Sequence, residues 1–209
     1  MEEWVFFGEK GMRLEGLYAA GAAKRGAVVC HPHSLMGGNM HNPVVETLAR
    51  ALFGAGFSTL RFNFRGVGAS DGIFDEGRGE RDDLQAAKAF LEARGVREVL
   101  PAGYSFGAWV IAGAAAGHET VPALFVAPPV VLFPFDLKSL KGRVGLIVCG
   151  DRDPYCPAEE ARRMAAEVSC PLALLPGADH FFSQGLADLA ERVGAFAAAQ
   201  TFSADKGPQ

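Results

Sequence analysis

The most informative segment of this chain reads Leu100-Pro101-Ala102-Gly103-Tyr104-Ser105-Phe106-Gly107-Ala108-Trp109. It contains the pattern G-x-S-x-G, between residues of strand character at 96–100 and an alanine-rich, helix-forming run that extends to Ala116. This order predicts a strand that turns sharply into a helix and exposes Ser105 at the turn, as in a nucleophile elbow. The two glycines serve that turn, because a side chain two residues before or after the serine would collide with a neighbouring strand or helix.

One residue of the segment conflicts with a central strand. Pro101 lacks the N–H that a sheet ladder needs, and proline is seldom tolerated in such a position. We interpret Pro101 as the mark of the strand's last turn before the elbow.

Strand and helix patterns alternate along the rest of the chain. Strands are predicted at 4–7, 13–18, 27–30, 58–62, 123–126, 144–149 and 172–175, and helices at 42–53, 158–168 and 186–199, with a further helix that follows the charged run 75–83 and ends near Arg94. The alternation predicts an α/β fold with a doubly wound, mostly parallel sheet and an antiparallel entry at its N-terminal end. Fewer than twenty residues separate the strands at 123–126 and 144–149, so we expect no cap domain.

Length and composition indicate a single domain. The chain has 209 residues, 49% of them hydrophobic, and we predict one domain over 1–202 followed by a disordered polar tail over 203–209. A net charge of −4 without a basic cluster argues against a nucleic-acid partner. The acidic N-terminus and the lack of an 18-residue apolar run argue against a signal peptide and a membrane partner, so we expect a cytoplasmic protein. The oligomeric state is left open.

The four cysteines show no pairing pattern. Cys30, Cys149, Cys156 and Cys170 have neither a C-x-x-C pair nor zinc-finger spacing, and two of them fall in predicted buried strands. We interpret them as small buried hydrophobic residues in a reducing compartment. The prediction is four free thiols.

Acidic residues and a histidine follow later strands and complete a candidate catalytic set. A serine hydroxyl needs a base that takes its proton and a carboxylate that holds the base in the right tautomer. Asp151 and Asp153 follow one predicted strand and His180 follows the next, which is the order expected after G-x-S-x-G. We favour Asp153 over Asp151, because Asp151 at the strand exit is better placed to cap the turn. Asp179 adjoins His180 and is expected to point away from it.

Acyl transfer also needs two backbone N–H donors for the oxyanion. One is predicted at Phe106, directly after the nucleophile, and the other in the loop after the third strand. That loop begins His31-Pro32-His33-Ser34. Because Pro32 has no N–H, the second donor is His33 or Ser34.

Two further motifs could suggest a metal or a cofactor, but both are incomplete. The histidines at 31 and 33 are not accompanied by a carboxylate–histidine set with ligand spacing, so we expect no metal. Residues 65–68 half-match a dinucleotide-binding loop, but the third glycine and the strand-end acid are missing.

The chain resembles the small lidless α/β-hydrolases of bacteria, close to dienelactone hydrolases and serine esterases. The resemblance is carried by His31-Pro32-His33 with Gly37-Gly38, by Asn63-Phe64-Arg65-Gly66-Val67-Gly68-Ala69-Ser70-Asp71-Gly72 and by Gly103-Tyr104-Ser105-Phe106-Gly107-Ala108. It implies an α/β-hydrolase fold with about eight strands, the second antiparallel, a triad of Ser105, Asp153 and His180, and an oxyanion donor near His33. Two departures are that dienelactone hydrolases proper have a cysteine in place of Ser105, and that similar sequences have a proline in place of Ser34.

We therefore expect a serine hydrolase that cleaves carboxylic esters of small substrates through an acyl-enzyme, without metal or organic cofactor. Amide, thioester and carbon–carbon bonds are alternatives within the same fold. A catalytically silent relative that binds a small molecule or a partner is the rival from another class. Without a cap, loops must form the substrate pocket, and its apolar candidates are Leu35, Met36, Phe133 and Phe135, with Val130, Val131 and Leu132 beside them.

Overall fold

The computed structural model describes residues 1–8, 11–22, 24–114 and 121–200. Within these ranges the strands are β1 Glu3–Phe7, β2 Leu14–Ala19, β3 Arg25–Cys30, β4 Ser58–Phe62, β5 Glu98–Tyr104, β6 Ala123–Val126, β7 Val144–Gly150 and β8 Leu172–Leu175. These eight strands form one sheet in the order β1-β2-β4-β3-β5-β6-β7-β8. The helices are α1 Pro43–Gly54, α2 Arg78–Glu92, α3 Phe106–Ala114, α4 Leu137–Leu140, α5 Ala158–Val168 and α6 Leu186–Ala199. The predicted tail at 203–209 and the end of the predicted elbow helix at 115–116 lie outside the described residues.

The second strand runs against the rest of the sheet. β2 pairs antiparallel with β1 on one side and with β4 on the other, whereas the pairs from β4 through β8 are parallel. Parallel neighbours need long crossover connections, which the intervening helices provide. The predicted fold class is therefore confirmed: a doubly wound, mostly parallel α/β-hydrolase sheet with an antiparallel second strand.

Helices cover both faces of the sheet. α1 and α6 pack on one face through side chains that include Leu48, Leu52 and Val193. α2, α3 and α5 pack on the other face, together with the apolar side chains of the alternate strand positions. Because both faces are covered, the central strands β3 and β6 consist almost entirely of buried apolar residues rather than alternating ones.

Pro101 lies inside its strand and not at its end. It is the fourth of seven residues in β5 and pairs with Val28 of β3, so our interpretation of Pro101 as the strand's last turn is wrong. The pairing of β5 with β6 begins one residue later, at Ala102. On the side of β6, Pro101 therefore stands outside the ladder, where the absence of an N–H is tolerated.

The connection between β6 and β7, at the carboxyl end of the sheet, carries no inserted domain. The connection between β6 and β7 covers residues 127–143 and contains only the four-residue helix α4. This agrees with the prediction that the fold has no cap. None of the helices in the described ranges is long and apolar enough to cross a membrane.

Candidate active site

Ser105 sits at a strained turn between β5 and α3. Its φ is +53°, in the left-handed region that residues other than glycine rarely adopt. A Cβ added at Gly103 would lie 2.5 Å from the backbone N of Ala108, and one at Gly107 would lie 2.5 Å from the carbonyl oxygen of Cys30. The glycines of the motif thus allow α3 to pack closely on both the elbow and β3, which presents the serine at the carboxyl end of the sheet.

His180 lies between Ser105 and Asp153. Its Nε2 is 3.0 Å from the Oγ of Ser105, and its Nδ1 is 2.8 Å from Oδ2 of Asp153. Residual exposure is 8% for the serine, 5% for the histidine and 2% for the aspartate. Beside an acceptor-only carboxylate, Nδ1 carries the ring proton, so the neutral imidazole has a free lone pair on Nε2 directed at the serine hydroxyl. This tautomer is the one that can take a proton from Ser105.

Asp153, rather than its neighbours, holds the histidine. Its Oδ1 accepts hydrogen bonds from the backbone N–H groups of Tyr155 at 2.8 Å and Cys156 at 3.0 Å, which leaves Oδ2 for His180. The exposed Asp151 instead accepts from the N–H of Gly177 at 2.7 Å. The structure therefore brings Asp153 to the histidine and uses Asp151 to fasten one loop to the next.

Asp179, the other acid near His180, makes its hydrogen bonds to another residue. Asp179 is half-buried and accepts from the backbone N–H and the hydroxyl of Ser183, at 2.9 and 2.8 Å. These hydrogen bonds lower the pKa of Asp179. As expected, this carboxylate plays no part in the contact between Ser105, His180 and Asp153.

Two tyrosines support His180, and no sequence pattern predicted them. The hydroxyl of Tyr104 donates to the backbone carbonyl of His180 at 3.1 Å, and burial raises the pKa of this phenol, which keeps it a donor. The ring of Tyr155 meets the imidazole edge-on at 4.8 Å. Tyr104 is the first of the two variable residues of G-x-S-x-G, and its role depends on the path of a loop more than seventy residues later.

In the described structure, the backbone N–H groups of the predicted oxyanion donors Phe106 and His33 make no hydrogen bond. Phe106 begins α3 and His33 precedes the 3-10 turn Ser34–Met36, and neither of their N–H groups donates to an acceptor in the described part of the chain. The His33 carbonyl accepts from the N–H groups of Met36 and Gly38, at 2.9 and 3.0 Å, which fixes this loop. Ser34, the alternative donor, has a buried hydroxyl without a hydrogen-bond partner among the described residues.

His31 holds the same loop from the inside, a role that the sequence did not suggest. Its Nδ1 donates to the carbonyl of Pro32 at 2.6 Å, and its Nε2 accepts from the N–H of Phe64 at 3.0 Å. Burial lowers the pKa of His31 to about 4, so the ring is neutral and can both donate and accept. The Pro32 carbonyl belongs to the same peptide unit as the His33 N–H, so His31 orients that donor.

The glycine-rich loop after β4 is held in place by hydrogen bonds and close packing. Asn63 accepts from the N–H of Met40 at 2.8 Å and donates to Glu15 at 2.6 Å. The same Glu15 oxygen accepts from the N–H of Ala69 at 2.7 Å. A Cβ at Gly68 would lie 1.9 Å from this carboxylate, so the glycine is required by packing. The half-match to a dinucleotide loop thus has a structural explanation.

The four pocket candidates take up different positions. Leu35 and Met36 are 71% and 84% exposed and do not wall a closed cavity. Phe133 is half-buried, with its ring centroid 6.2 Å from that of His33 and 5.9 Å from that of Phe106. Phe135 packs towards Phe125 of β6, with ring centroids 6.3 Å apart. The ring of Phe133 thus contacts the rings of two residues that carry predicted oxyanion donors.

We compared the chain with protein families, with curated proteins and with solved structures. No protein-family model matches the chain. An uncharacterised protein of Rickettsia prowazekii is 34% identical over 197 residues, which cover 87% of this chain and 82% of the relative. An alpha-beta serine hydrolase homologue from Coxiella burnetii is 35% identical, with a TM-score of 0.84 over 92% of this chain and 96% of that one.

A further similar structure also lacks a lid. It is described as a member of the alpha/beta serine hydrolases without a lid, from Xanthomonas campestris, and is 32% identical. Its TM-score is 0.83, with 93% of each chain covered. Because identity above 30% extends over nearly the whole chain and the β6–β7 connection carries no inserted domain, this chain belongs to the α/β serine hydrolases without a lid.

Proposed function

We propose that this protein is a cytoplasmic serine esterase that cleaves carboxylic esters of small substrates through an acyl-enzyme intermediate. The observation that carries the proposal is the continuous chain of hydrogen bonds from the Ser105 hydroxyl through His180 to Asp153, with contacts of 3.0 and 2.8 Å. Membership of the serine hydrolases without a lid supports the nucleophile, and the ester substrate is our own inference from the open site.

Each of these three hydrogen-bonded residues has a distinct role in this mechanism. The Nε2 atom of His180 takes the proton of Ser105 as Oγ attacks the ester carbonyl, and Asp153 stabilises the imidazolium that forms. The backbone N–H groups of Phe106 and His33 donate to the oxyanion. The imidazolium then returns the proton to the leaving alcohol, and a water molecule, activated by His180 in the same way, hydrolyses the acyl-enzyme. No step needs a metal or an organic cofactor.

The open carboxyl end of the sheet supports small substrates. The β6–β7 connection contains only α4, and the apolar side chains of Leu35, Met36 and Leu132 are more exposed than buried. Such side chains can cover a short acyl group but form no deep tunnel. Each methylene adds up to about 0.8 kcal/mol only while it remains covered, so we propose a preference for short acyl chains.

Labelling with a fluorophosphonate probe tests this function directly. The wild type should gain one probe adduct, heat-denatured protein none, and p-nitrophenyl acetate should be hydrolysed. Ser105→Ala should abolish labelling and lower kcat about a thousandfold or more. Ser139→Ala is the matched control, because Ser139 is an exposed residue of α4 whose hydroxyl donates to the carbonyl of Asp136, just before that helix. Full activity in Ser105→Ala would refute the proposal, and a wild type without labelling or turnover would favour the silent binding protein.

A further inference from the structure

Two cysteines that the sequence treats as unrelated meet beneath the proposed catalytic acid. The Sγ atoms of Cys149 and Cys156 are 3.2 Å apart, and both side chains are completely buried. Both are free thiols, and neither Cys30 nor Cys170 has a sulfur partner in the described structure. The contact is shorter than ordinary separations in packed cores, about 3.5–4.0 Å between carbon atoms. The pair is therefore the one place among the four cysteines where two thiols can react with each other.

The pair brackets the loop that carries Asp153. Cys149 is the last residue but one of β7, and Cys156 follows at the far end of the loop, seven residues later. The link to the acid is direct, since the backbone N–H of Cys156 donates to Oδ1 of Asp153 at 3.0 Å. The same carboxylate oxygen accepts from Tyr155, whose ring contacts His180. A movement of Cys156 therefore reaches both the acid and the base.

We propose that Cys149 and Cys156 form a redox modification site, at which a two-electron oxidant such as hydrogen peroxide closes a disulfide that displaces the Asp153 loop and lowers activity. The effect on activity rests on the esterase function proposed above, whereas the disulfide does not. In the balanced reaction the two thiols lose two protons and two electrons as the S–S bond forms, and the peroxide takes up both and is reduced to two waters. A dithiol reductant reverses the step by exchange.

The displacement follows from the difference between contact and bond. A disulfide requires about 2.05 Å between the sulfurs, so the two side chains must approach by roughly 1 Å from their separation of 3.2 Å. Cys149 is held in β7, which pairs with β6 on one side and with β8 on the other, so most of the movement falls on the loop at Cys156. A misplacement of about 1 Å in a catalytic group lowers rates up to about a hundredfold. We expect the oxidised form to have a kcat about tenfold to a hundredfold lower.

Burial of the two thiols makes their oxidation slow but selective. The neighbouring thiol of Cys156 and burial both raise the pKa of Cys149, so the reactive thiolate is scarce in the closed loop. Oxidation therefore requires brief opening of the Asp153 loop, and brief or weak exposure to oxidant leaves the enzyme active. Once one sulfur is oxidised, its partner is already in contact and displaces water to form the disulfide.

Thiol counting tests the disulfide without reference to activity. The full-length protein is treated with hydrogen peroxide, quenched with catalase, unfolded without reductant and alkylated with N-ethylmaleimide. Untreated protein should carry four adducts; treated protein should carry two, with a linked peptide pair containing Cys149 and Cys156. Treatment with dithiothreitol should restore four adducts. Four adducts after prolonged peroxide treatment would overturn the proposal.

Activity of the same samples tests the effect of the bond. Turnover of p-nitrophenyl acetate should fall about tenfold to a hundredfold in proportion to the disulfide and recover with dithiothreitol. Cys149→Ala should lose the response relative to its own untreated rate, whereas Cys170→Ser should keep it. A disulfide formed with unchanged kcat would overturn the switch, as would an equal loss in Cys149→Ala. Absence of fluorophosphonate labelling in reduced wild type would instead refute the esterase function, and the adduct count would still decide the disulfide.

Discussion

Replacing Asp153 by asparagine should remove most of the catalytic power while leaving the fold intact. The side chain of Asp153 is completely buried and accepts three hydrogen bonds, two from backbone N–H groups and one from His180. In Asp153→Asn the amide oxygen satisfies the two backbone donors, which turns the amide NH₂ towards Nδ1 of His180. That atom must then accept, so the ring proton moves to Nε2, opposite the Ser105 hydroxyl. A protonated Nε2 cannot take the serine proton.

The size of the effect follows from the tautomer. The equivalent change in a serine protease triad lowers kcat about ten-thousandfold, which corresponds to roughly 5 kcal/mol of transition-state stabilisation. We expect a loss of the same order here, measured as kcat for p-nitrophenyl acetate, with an unchanged melting temperature because asparagine has the same shape.

Asp151→Asn is the matched control for this experiment. Asp151 is exposed and accepts one hydrogen bond, from Gly177, which an amide oxygen can also accept. We expect less than about a tenfold change in kcat, since surface substitutions of this kind alter little. Comparable losses in both variants, or an Asp153→Asn variant within tenfold of wild type, would refute the assignment of the acid.

Three further predictions concern His31 and the substrate. His31→Asn retains a donor to the Pro32 carbonyl and should stay within about tenfold of wild-type kcat, whereas His31→Gln, which can reach only the Phe64 N–H, should lose up to about a hundredfold; equal losses at unchanged KM would contradict this role. Because the pKa of His31 is about 4 in the fold and about 6.5 in the unfolded chain, the unfolded state binds the extra proton between these values, so the free energy of unfolding should fall by about 3 kcal/mol as the pH drops from 6.5 to 4. Urea titrations at several pH values should show this slope in wild type and a smaller one in His31→Asn. In a series of p-nitrophenyl esters from acetate to palmitate, kcat/KM should stop rising after a few carbons, and a steady rise to palmitate would reveal an acyl tunnel.

Local sequence signals predicted the elements of this fold because they depend on neighbouring residues only. Hydrophobic runs bounded by turn residues located β4, β6, β8, α5 and α6 at the residues where the structure has them. Element ends were less certain: β5 extends to Tyr104, because the elbow itself continues the strand. Pro101 was misread for the same reason, since its tolerance depends on where the neighbouring strand begins to pair and not on the residues beside it.

The sequence by itself determined the fold class, the elbow and the order of the candidate catalytic residues, because alternating elements and a strand–turn–helix with two glycines are encoded over short distances. Only the tertiary structure showed which of two aspartates reaches His180, that His31 holds the loop of the predicted oxyanion donor, and that Cys149 and Cys156 touch. In each case the contact depends on the path of a loop over the end of the sheet. That path is set by backbone hydrogen bonds such as those from Tyr155 and Gly177, whose partners no pattern in the sequence reveals.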